Sequence, residues 1–150
     1  MFLVNDTLAQ RRRRIKSYEP YVAVLLAAAD FEWTIRRGIL ALGVSPTKAI
    51  REGVLKRCSG LEAYKRAWNK EVKPFTKKGL IDVVPNWSYF KDKAYPLRHR
   101  LIHGVDGSVT PGYAKDRIES ILAASKAIVE FAENNGEPIY GRNIVRRKHR

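Results

Sequence analysis

The sequence predicts an all-α protein, a helical bundle with two long helices and a basic segment at each end. Apolar residues recur at helical spacing along two stretches, residues 22–40 and 118–132. The pairs Ser45-Pro46 and Thr110-Pro111 are typical of helix starts, with a capping side chain followed by a proline in the first turn. Because 150 residues is an ordinary length for one domain, we expect residues 1–150 to form a single unit.

Caps and prolines divide the first half of the chain into four predicted helices. Asp6 or Thr7 caps the first helix, which carries an arginine run and makes residues 1–17 a basic N-terminal helix. Pro20 opens the second helix, and Gly43 follows its end. The approximate bounds of the four predicted helices are 7–17, 20–43, 46–57 and 61–72.

The second half of the chain predicts a loop and two further helices. Residues 73–85, including the short apolar stretch 80–84, are interpreted as a loop. Asn86 or Ser88 caps the next helix, which Pro96 kinks or restarts and Gly104 ends. The last helix runs from Pro111 to Asn135-Gly136, and residues 137–150 form a basic tail.

The charge balance points to a polyanionic partner. Lysine and arginine number 29 against 15 aspartate and glutamate, a formal net charge of +14. We expect RNA rather than a membrane, because no apolar run approaches the roughly 18–20 residues of a span. Asp6 and the arginine run stand where a signal peptide would be apolar, and the single cysteine, Cys58, suits a reducing, cytoplasmic compartment.

The string Leu97-Arg98-His99-Arg100-Leu101-Ile102-His103-Gly104 carries the strongest functional signal. Arginine has a permanent planar charge suited to phosphate oxygens, and histidine exchanges a proton near neutral pH. We expect His103 to act as general base on a ribose 2′-hydroxyl or as general acid to the leaving 5′-oxygen. Arg98 would stabilise the negative charge on the phosphorane. This chemistry needs neither a metal nor another cofactor, and it leaves a 2′,3′-cyclic phosphate and a 5′-hydroxyl.

The spacing of Arg98 and His103 does not place them on one helix face. Five residues correspond to about 140° around an ideal helix, so the two side chains diverge. Two arrangements bring them to one phosphate: the long arginine reaches around a helix distorted by Pro96, or a twofold dimer builds a composite cleft. The competing interpretation is that Arg98 and Arg100 are solvated and His103 only ends the helix.

A zinc site is another interpretation of this string. His99 and His103 lie four residues apart and share a face, as in helical zinc sites, and Asp106 is a conceivable third ligand. The glutamate of the zinc-peptidase pattern is absent between the histidines, and Arg98 and Arg100 disfavour a dication. We therefore expect no metal.

The full string resembles the signature of the HEPN (higher eukaryotes and prokaryotes nucleotide-binding) superfamily. In that signature an arginine and a polar residue precede a histidine that glycine often follows, and His99 stands at the polar position. The resemblance implies a small α-helical bundle, commonly a homodimer, with Arg98, His99 and His103 in the catalytic site. It also implies a metal-independent endoribonuclease serving as a toxin or in antiviral defence, with an antitoxin or another inhibitory protein as a partner.

The same resemblance implies an acidic residue on an earlier helix that positions the catalytic pair. Glu32 on the second predicted helix is the candidate, with Asp30 as the weaker alternative. The competing interpretation is a surface pair between Glu32 and Arg36, four residues apart. Family members paired with a nucleotidyltransferase antitoxin carry a modified tyrosine two residues after the histidine. Val105 stands there, so silencing of that type is not expected.

Other basic and aromatic residues are candidates for contact with RNA. Phosphate contacts that do not depend on sequence are expected from the tail at 146–150 and from Arg11, Arg12, Arg13, Arg14, Arg36 and Arg100. Four aromatic residues before the string either stack on bases or pack in the core: Trp87, Tyr89, Phe90 and Tyr95. The alternative function is a non-catalytic module that binds nucleic acid or a protein partner through its basic ends.

Overall fold

The computed structural model describes residues 6–104, 109–140 and 144, and these ranges contain helices and loops but no strand. The all-α prediction is therefore confirmed for the described residues. No helix in these ranges has both the length and the apolar character that crossing a bilayer requires.

The first two helices begin and end where the sequence predicts. α1 spans Leu8–Lys16 and α2 spans Pro20–Leu42. Thr7 caps α1 through a reciprocal pair, in which the Gln10 N–H donates to Thr7 Oγ1 at 3.2 Å and the Thr7 N–H donates to Gln10 Oε1 at 2.8 Å. Gly43 directly follows the last residue of α2.

The predicted third helix is irregular and is not capped by Ser45. It consists of a short α-helix, α3 (Thr47–Ala49), a π-helix (Ile50–Val54) and a 3₁₀ turn (Leu55–Arg57). Ser45 binds Glu71 instead, its N–H and its hydroxyl donating to the two carboxylate oxygens at 3.0 and 2.8 Å. The predicted cap is wrong because this distant carboxylate engages the serine. The fourth helix, α4, spans Leu61–Glu71.

Two short helices follow α4 where the sequence predicts a loop. α5 spans Lys73–Thr76 and α6 spans Leu80–Val83. Asp82 starts α6 by accepting a hydrogen bond from the Gly79 N–H at 2.9 Å, and Leu80 is fully buried. The loop prediction is wrong for residues 73–76 and 80–83, because helices of a single turn are too short to show a periodic pattern. Burial of Leu80 stabilises the second of these turns.

The candidate string lies on a helix that Pro96 restarts. α7 (Trp87–Tyr89) continues into a π-helix (Phe90–Ala94), and α8 then spans Pro96–Ile102. Pro96 occupies the first turn of α8, as one of the two predicted alternatives. Gly104 adopts φ +67° just beyond the helix, a conformation that favours glycine.

The last long helix, α9, spans Pro111–Asn134 and begins at the predicted cap. The Thr110 hydroxyl accepts a hydrogen bond from the Tyr113 N–H at 3.3 Å. Asn135 and Gly136 follow the helix, as predicted. Most of the predicted basic tail, residues 141–143 and 145–150, lies outside the described residues.

α2 and α9 form the centre of the bundle and run parallel. Ala23 near the start of α2 lines a groove with Ala114 near the start of α9, and Gly38 near the end of α2 approaches Ile128. A Cβ added at Gly38 would lie 3.1 Å from Ile128 Cγ2 and 3.3 Å from Trp68 Cζ3, so the missing side chain permits this close approach. The largest fully buried apolar side chains include Phe31, Ile35, Ile39, Leu42, Trp68, Phe90, Leu97 and Ile121.

Candidate functional site

α2 and α8 bring Glu32, Tyr95 and Arg98 together. The Tyr95 hydroxyl donates a hydrogen bond to Glu32 Oε1 at 2.5 Å, and Arg98 Nε lies 3.4 Å from the same oxygen. The competing interpretation of Glu32 as the partner of Arg36 is wrong, because the carboxylate contacts α8 instead. Sequence reasoning proposed Glu32 next to Arg98 but did not identify Tyr95 as the residue that joins them.

The local sequence explains why Tyr95 and Arg98 point to the same carboxylate. Pro96 restarts the helix between them, and the Arg98 N–H donates to the Tyr95 carbonyl at 3.2 Å, so the two residues share one turn. Phe31, beside Glu32 in sequence, packs edge-on against the Tyr95 ring at 5.7 Å and against the Phe90 ring at 4.9 Å. These aromatic contacts fix Tyr95 against α2.

The aromatic residues before the string pack in the core. Phe90 and Tyr95 are buried, while Trp87 and Tyr89 are half-buried and pack against the core. Of the two alternatives, Phe90 and Tyr95 follow packing in the core, because their rings contact other side chains. Burial, and next the hydrogen bond to Glu32, raises the pKa of Tyr95 well above its ordinary value. Tyr95 therefore remains a proton donor to Glu32 at any physiological pH.

The two histidines lie together on the exposed side of α8. Their ring centroids are 4.2 Å apart, and the His103 N–H donates to the His99 carbonyl at 3.1 Å at the end of the helix. Among the described residues, no hydrogen bond or ion pair joins Arg98 to either imidazole. The structure therefore forms two groups, a guanidinium held by a carboxylate and a pair of imidazoles.

The third ligand of the zinc interpretation falls outside the described residues. Asp106 lies in the range 105–108, as does Val105. In the part of the chain that the structure describes, no three His, Cys, Asp or Glu side chains are grouped to hold a metal ion.

Arg100 lies on a different side of α8 from Arg98, against the start of α9. Its Nη2 donates to the Tyr113 hydroxyl at 2.9 Å, and the Arg117 guanidinium lies 3.7 Å above the centre of the Tyr113 ring. The sequence analysis did not identify Tyr113 or Arg117. Their four-residue spacing on a predicted helix could have indicated the contact between the Arg117 guanidinium and the Tyr113 ring. Arg100 stays a predicted phosphate contact.

Arg11 is buried and does not contribute to a phosphate-binding surface. It is 2% exposed, its Nη1 donates to Asp30 Oδ1 at 2.9 Å, and its guanidinium lies 4.0 Å above the Trp33 ring. The prediction of an RNA contact at Arg11 is wrong because a partner on α2 draws it into the core. Burial raises the pKa of Asp30, and Arg11 partly opposes the rise. Asp30 thus belongs to this buried pair, away from Arg98.

The rest of the arginine run divides between ion pairs and solvent. Arg12 lies 3.6 Å from Glu119, and Arg14 Nη1 donates to Asp6 at 2.8 Å. Arg13 is exposed. The four arginines therefore do not form a single exposed patch, and RNA contacts at Arg12, Arg13 and Arg14 stay predictions.

Arg36 binds groups of the protein itself. Its Nε donates to the Tyr64 hydroxyl at 2.8 Å, and its Nη1 and Nη2 donate to the carbonyls of Leu55 and Cys58 at 3.2 and 3.3 Å. All three guanidinium nitrogens donate to the protein, which disfavours a phosphate contact, and the contact at Arg36 stays a prediction. The residue fastens the loop after the 3₁₀ turn to α2.

Comparison with known proteins adds no assignment: no protein-family model, curated protein or solved structure matches the chain. The chemistry must be inferred from the site itself. Glu32 contacts Arg98 at Nε, and among the described residues no acceptor contacts either Nη group. The site thus offers an oriented guanidinium edge for a phosphate and two exposed imidazoles for proton transfer on the same short helix.

Proposed function

We propose that this protein is a metal-independent endoribonuclease with a HEPN-like helical bundle. The observation that carries the proposal is the placement of Arg98, whose Nε lies 3.4 Å from Glu32 on a short helix that also presents His99 and His103. The resemblance of residues 97–104 to the HEPN signature and the net charge of +14 support it.

In the proposed reaction, His103 accepts the proton of a ribose 2′-hydroxyl as its oxygen attacks the adjacent phosphorus. The bond from phosphorus to the 5′-oxygen then breaks, and an imidazolium returns a proton to that oxygen. Arg98 stabilises the additional negative charge on the phosphorane. The products are a 2′,3′-cyclic phosphate and a 5′-hydroxyl, and both proton transfers use the histidine directly after α8.

A homodimer accounts for the separation of Arg98 from the histidines. Helical geometry places Tyr21, Leu25 and Ala29 on the same face of α2 as Glu32, and Tyr21 and Ala29 are exposed. Ile102, one turn after Arg98, is 49% exposed. We propose that two copies meet on this apolar face, so that Arg98 of one copy and His103 of the other share a phosphate.

By the same resemblance, the biological role that we propose is a cytoplasmic toxin or antiviral effector restrained by an antitoxin or another inhibitory protein. A second candidate function is a non-catalytic RNA-binding module. The absence of a contact between Arg98 and either histidine among the described residues favours it, since an arginine alone suffices for phosphate binding.

Cleavage in excess EDTA decides between these two functions. We expect the wild type to cleave single-stranded RNA to 2′,3′-cyclic phosphate ends, and His103→Ala to abolish cleavage with RNA affinity retained. Asn134→Ala is the control, because it changes an exposed polar residue at the end of α9 and should leave cleavage intact. RNA binding without cleavage by any form of the protein would instead support the binding module.

A further inference from the structure

A groove of about 220 Å³ separates residues 53–58 from α4. Its lining residues are of two kinds. The small or apolar residues are Gly53, Val54, Cys58, Ala63 and Ala67. The exposed side chains that line it are all basic: Arg57, Arg66 and Lys70. We call this feature the basic groove.

The basic groove lies in the region with the largest charge imbalance of the structure. Residues 47–78 contain ten lysines and arginines but three glutamates, and one of these, Glu71, is buried against Ser45. Within the described ranges, no carboxylate pairs with Arg57, Arg66 or Lys70. The arginine run 11–14 on α1 differs from the groove in this respect, because Arg11, Arg12 and Arg14 all have acidic partners. The three basic side chains that line the groove therefore carry positive charge that no ion pair among the described residues offsets.

Arg36 connects the basic groove to the candidate site. It follows Glu32 by four residues, so the two side chains share a face of α2. Arg36 holds the carbonyls of Leu55 and Cys58 and the hydroxyl of Tyr64, which belong to the two walls of the groove. Arg36 therefore ties the two segments that line the groove to α2, one turn after Glu32.

We propose that the basic groove binds the phosphate backbone of single-stranded RNA and holds the substrate of the candidate site. The proposal rests on the proposed function for the choice of RNA as the polyanion. Arg57, Arg66 and Lys70 neutralise successive phosphates, so binding depends on salt and hardly on base sequence. A single strand is the expected form, because attack by a 2′-hydroxyl in line with the leaving oxygen needs a backbone that can leave duplex geometry.

The test measures RNA affinity in a protein that cannot cleave. In a His103→Ala background, a groove variant carries Arg57→Gln, Arg66→Gln and Lys70→Gln. A control variant carries Lys91→Gln, Lys93→Gln and Lys126→Gln, which removes the same charge from exposed lysines elsewhere. A third variant keeps the charge of the groove with Arg57→Lys, Arg66→Lys and Lys70→Arg. Fluorescence anisotropy with a labelled oligouridylate in EDTA gives Kd as a function of salt concentration.

We expect the groove variant to bind at least about tenfold more weakly than the control variant. Three lost phosphate contacts should lower the slope of log Kd against log salt by about 2, at roughly 0.7 per contact for a single strand. The charge-preserving variant should bind like its parent. Equal affinity of the groove and control variants, or no binding of single-stranded RNA by the parent, would overturn the proposal.

The binding proposal for the basic groove and the proposed endoribonuclease function can be contradicted separately. If the groove variant loses affinity while the wild type cleaves no RNA, the groove is confirmed as a binding site and the enzymatic function is wrong. The groove and control triple substitutions can also be introduced into the protein that retains His103. If the wild type cleaves RNA and these two variants have the same Kd and kcat/KM, the groove proposal is wrong and the enzymatic function stands.

Discussion

The Tyr95 hydroxyl donates a 2.5 Å hydrogen bond to the Glu32 carboxylate oxygen that also contacts Arg98. Tyr95 itself is fixed by the Phe31 ring on α2. The orientation of the guanidinium thus depends on a buried hydroxyl as well as on its acidic partner. Tyr95 is a positioning residue, since it acts on the phosphate only through Glu32 and Arg98.

Tyr95→Phe should reduce kcat about tenfold and leave KM nearly unchanged, because the guanidinium loses a fixed orientation while the phosphate-binding groups remain. Single-turnover and steady-state cleavage of one RNA substrate measure the two constants. Tyr18→Phe, at an exposed tyrosine away from the site, is the control and should match the wild type. A Tyr95→Phe enzyme with unchanged kcat would show that Tyr95 has no part in positioning.

Tyr95 should also make the folded state less stable at high pH. Its pKa is raised in the folded protein, mainly by burial, so above about pH 10 the unfolded chain loses a proton that the folded chain keeps. The free energy of unfolding should therefore fall as pH rises above 10, by up to about 1.4 kcal/mol per pH unit for this group. Measured by urea unfolding between pH 9 and pH 11, the free energy of unfolding should decline less steeply for Tyr95→Phe than for the wild type. Equal slopes would contradict the raised pKa of Tyr95.

Mixing two inactive variants tests the composite cleft. Arg98→Ala and His103→Ala should each lack activity, but their mixed dimer retains one site in which both residues are intact. After denaturation and joint refolding at equal amounts, we expect about a quarter of wild-type activity, because half of the dimers are mixed and each has one of two sites. Zero activity in a mixture shown by mass spectrometry to contain mixed dimers would place each site within a single chain.

Replacing Arg11 should cost far more stability than replacing Arg13, although both belong to the arginine run 11–14. Arg11→Ala leaves Asp30 as an uncompensated buried carboxylate, so we expect a loss of about 3 kcal/mol in the free energy of unfolding. Arg13→Ala, at an exposed position, should change stability by less than about 0.5 kcal/mol. Chemical denaturation of both variants measures the difference, and similar stabilities would contradict the burial of Arg11.

Gly38 should resist substitution because α2 and α9 approach each other there. In Gly38→Ala the new Cβ would meet Ile128 and Trp68 at 3.1 and 3.3 Å, and we expect a loss of about 1–2 kcal/mol despite the better helix propensity of alanine. Gly112→Ala, in the first turn of α9 with no atom within 4 Å of its Cβ, should be neutral or slightly stabilising. Thermal unfolding of the two variants compares them, and equal melting temperatures would contradict the close packing.

The sequence predicted the features of the fold that depend on neighbouring residues. Thr7, Thr110 and Pro96 mark helix starts because each acts within one turn of its own position. Residues 80–83 were misassigned because a single turn has no periodic pattern, and its stability comes from burial that only the folded chain provides.

The candidate site was predictable only in part for the same reason. Arg98, His99 and His103 belong to one contiguous string, and Glu32 was inferred from the resemblance that this string carries. Tyr95 was not identified, since its role depends on a carboxylate 63 residues away. Basic residues were hardest to assign, because solvated, paired and buried arginines are identical in sequence: Arg11 has its partner 19 residues away, on another helix.

The parallel pairing of α2 with α9 has a consequence for how the chain folds during synthesis. The apolar face of α2 is covered mainly by a helix that begins about 70 residues after α2 ends, and Arg37 donates to a carbonyl 102 residues away. At roughly 5–20 residues per second on the ribosome, α2 is exposed for several seconds before α9 is made. A chaperone that shields nascent α2 during this interval should raise the yield of native protein, and a pause in translation between the two helices should lower it.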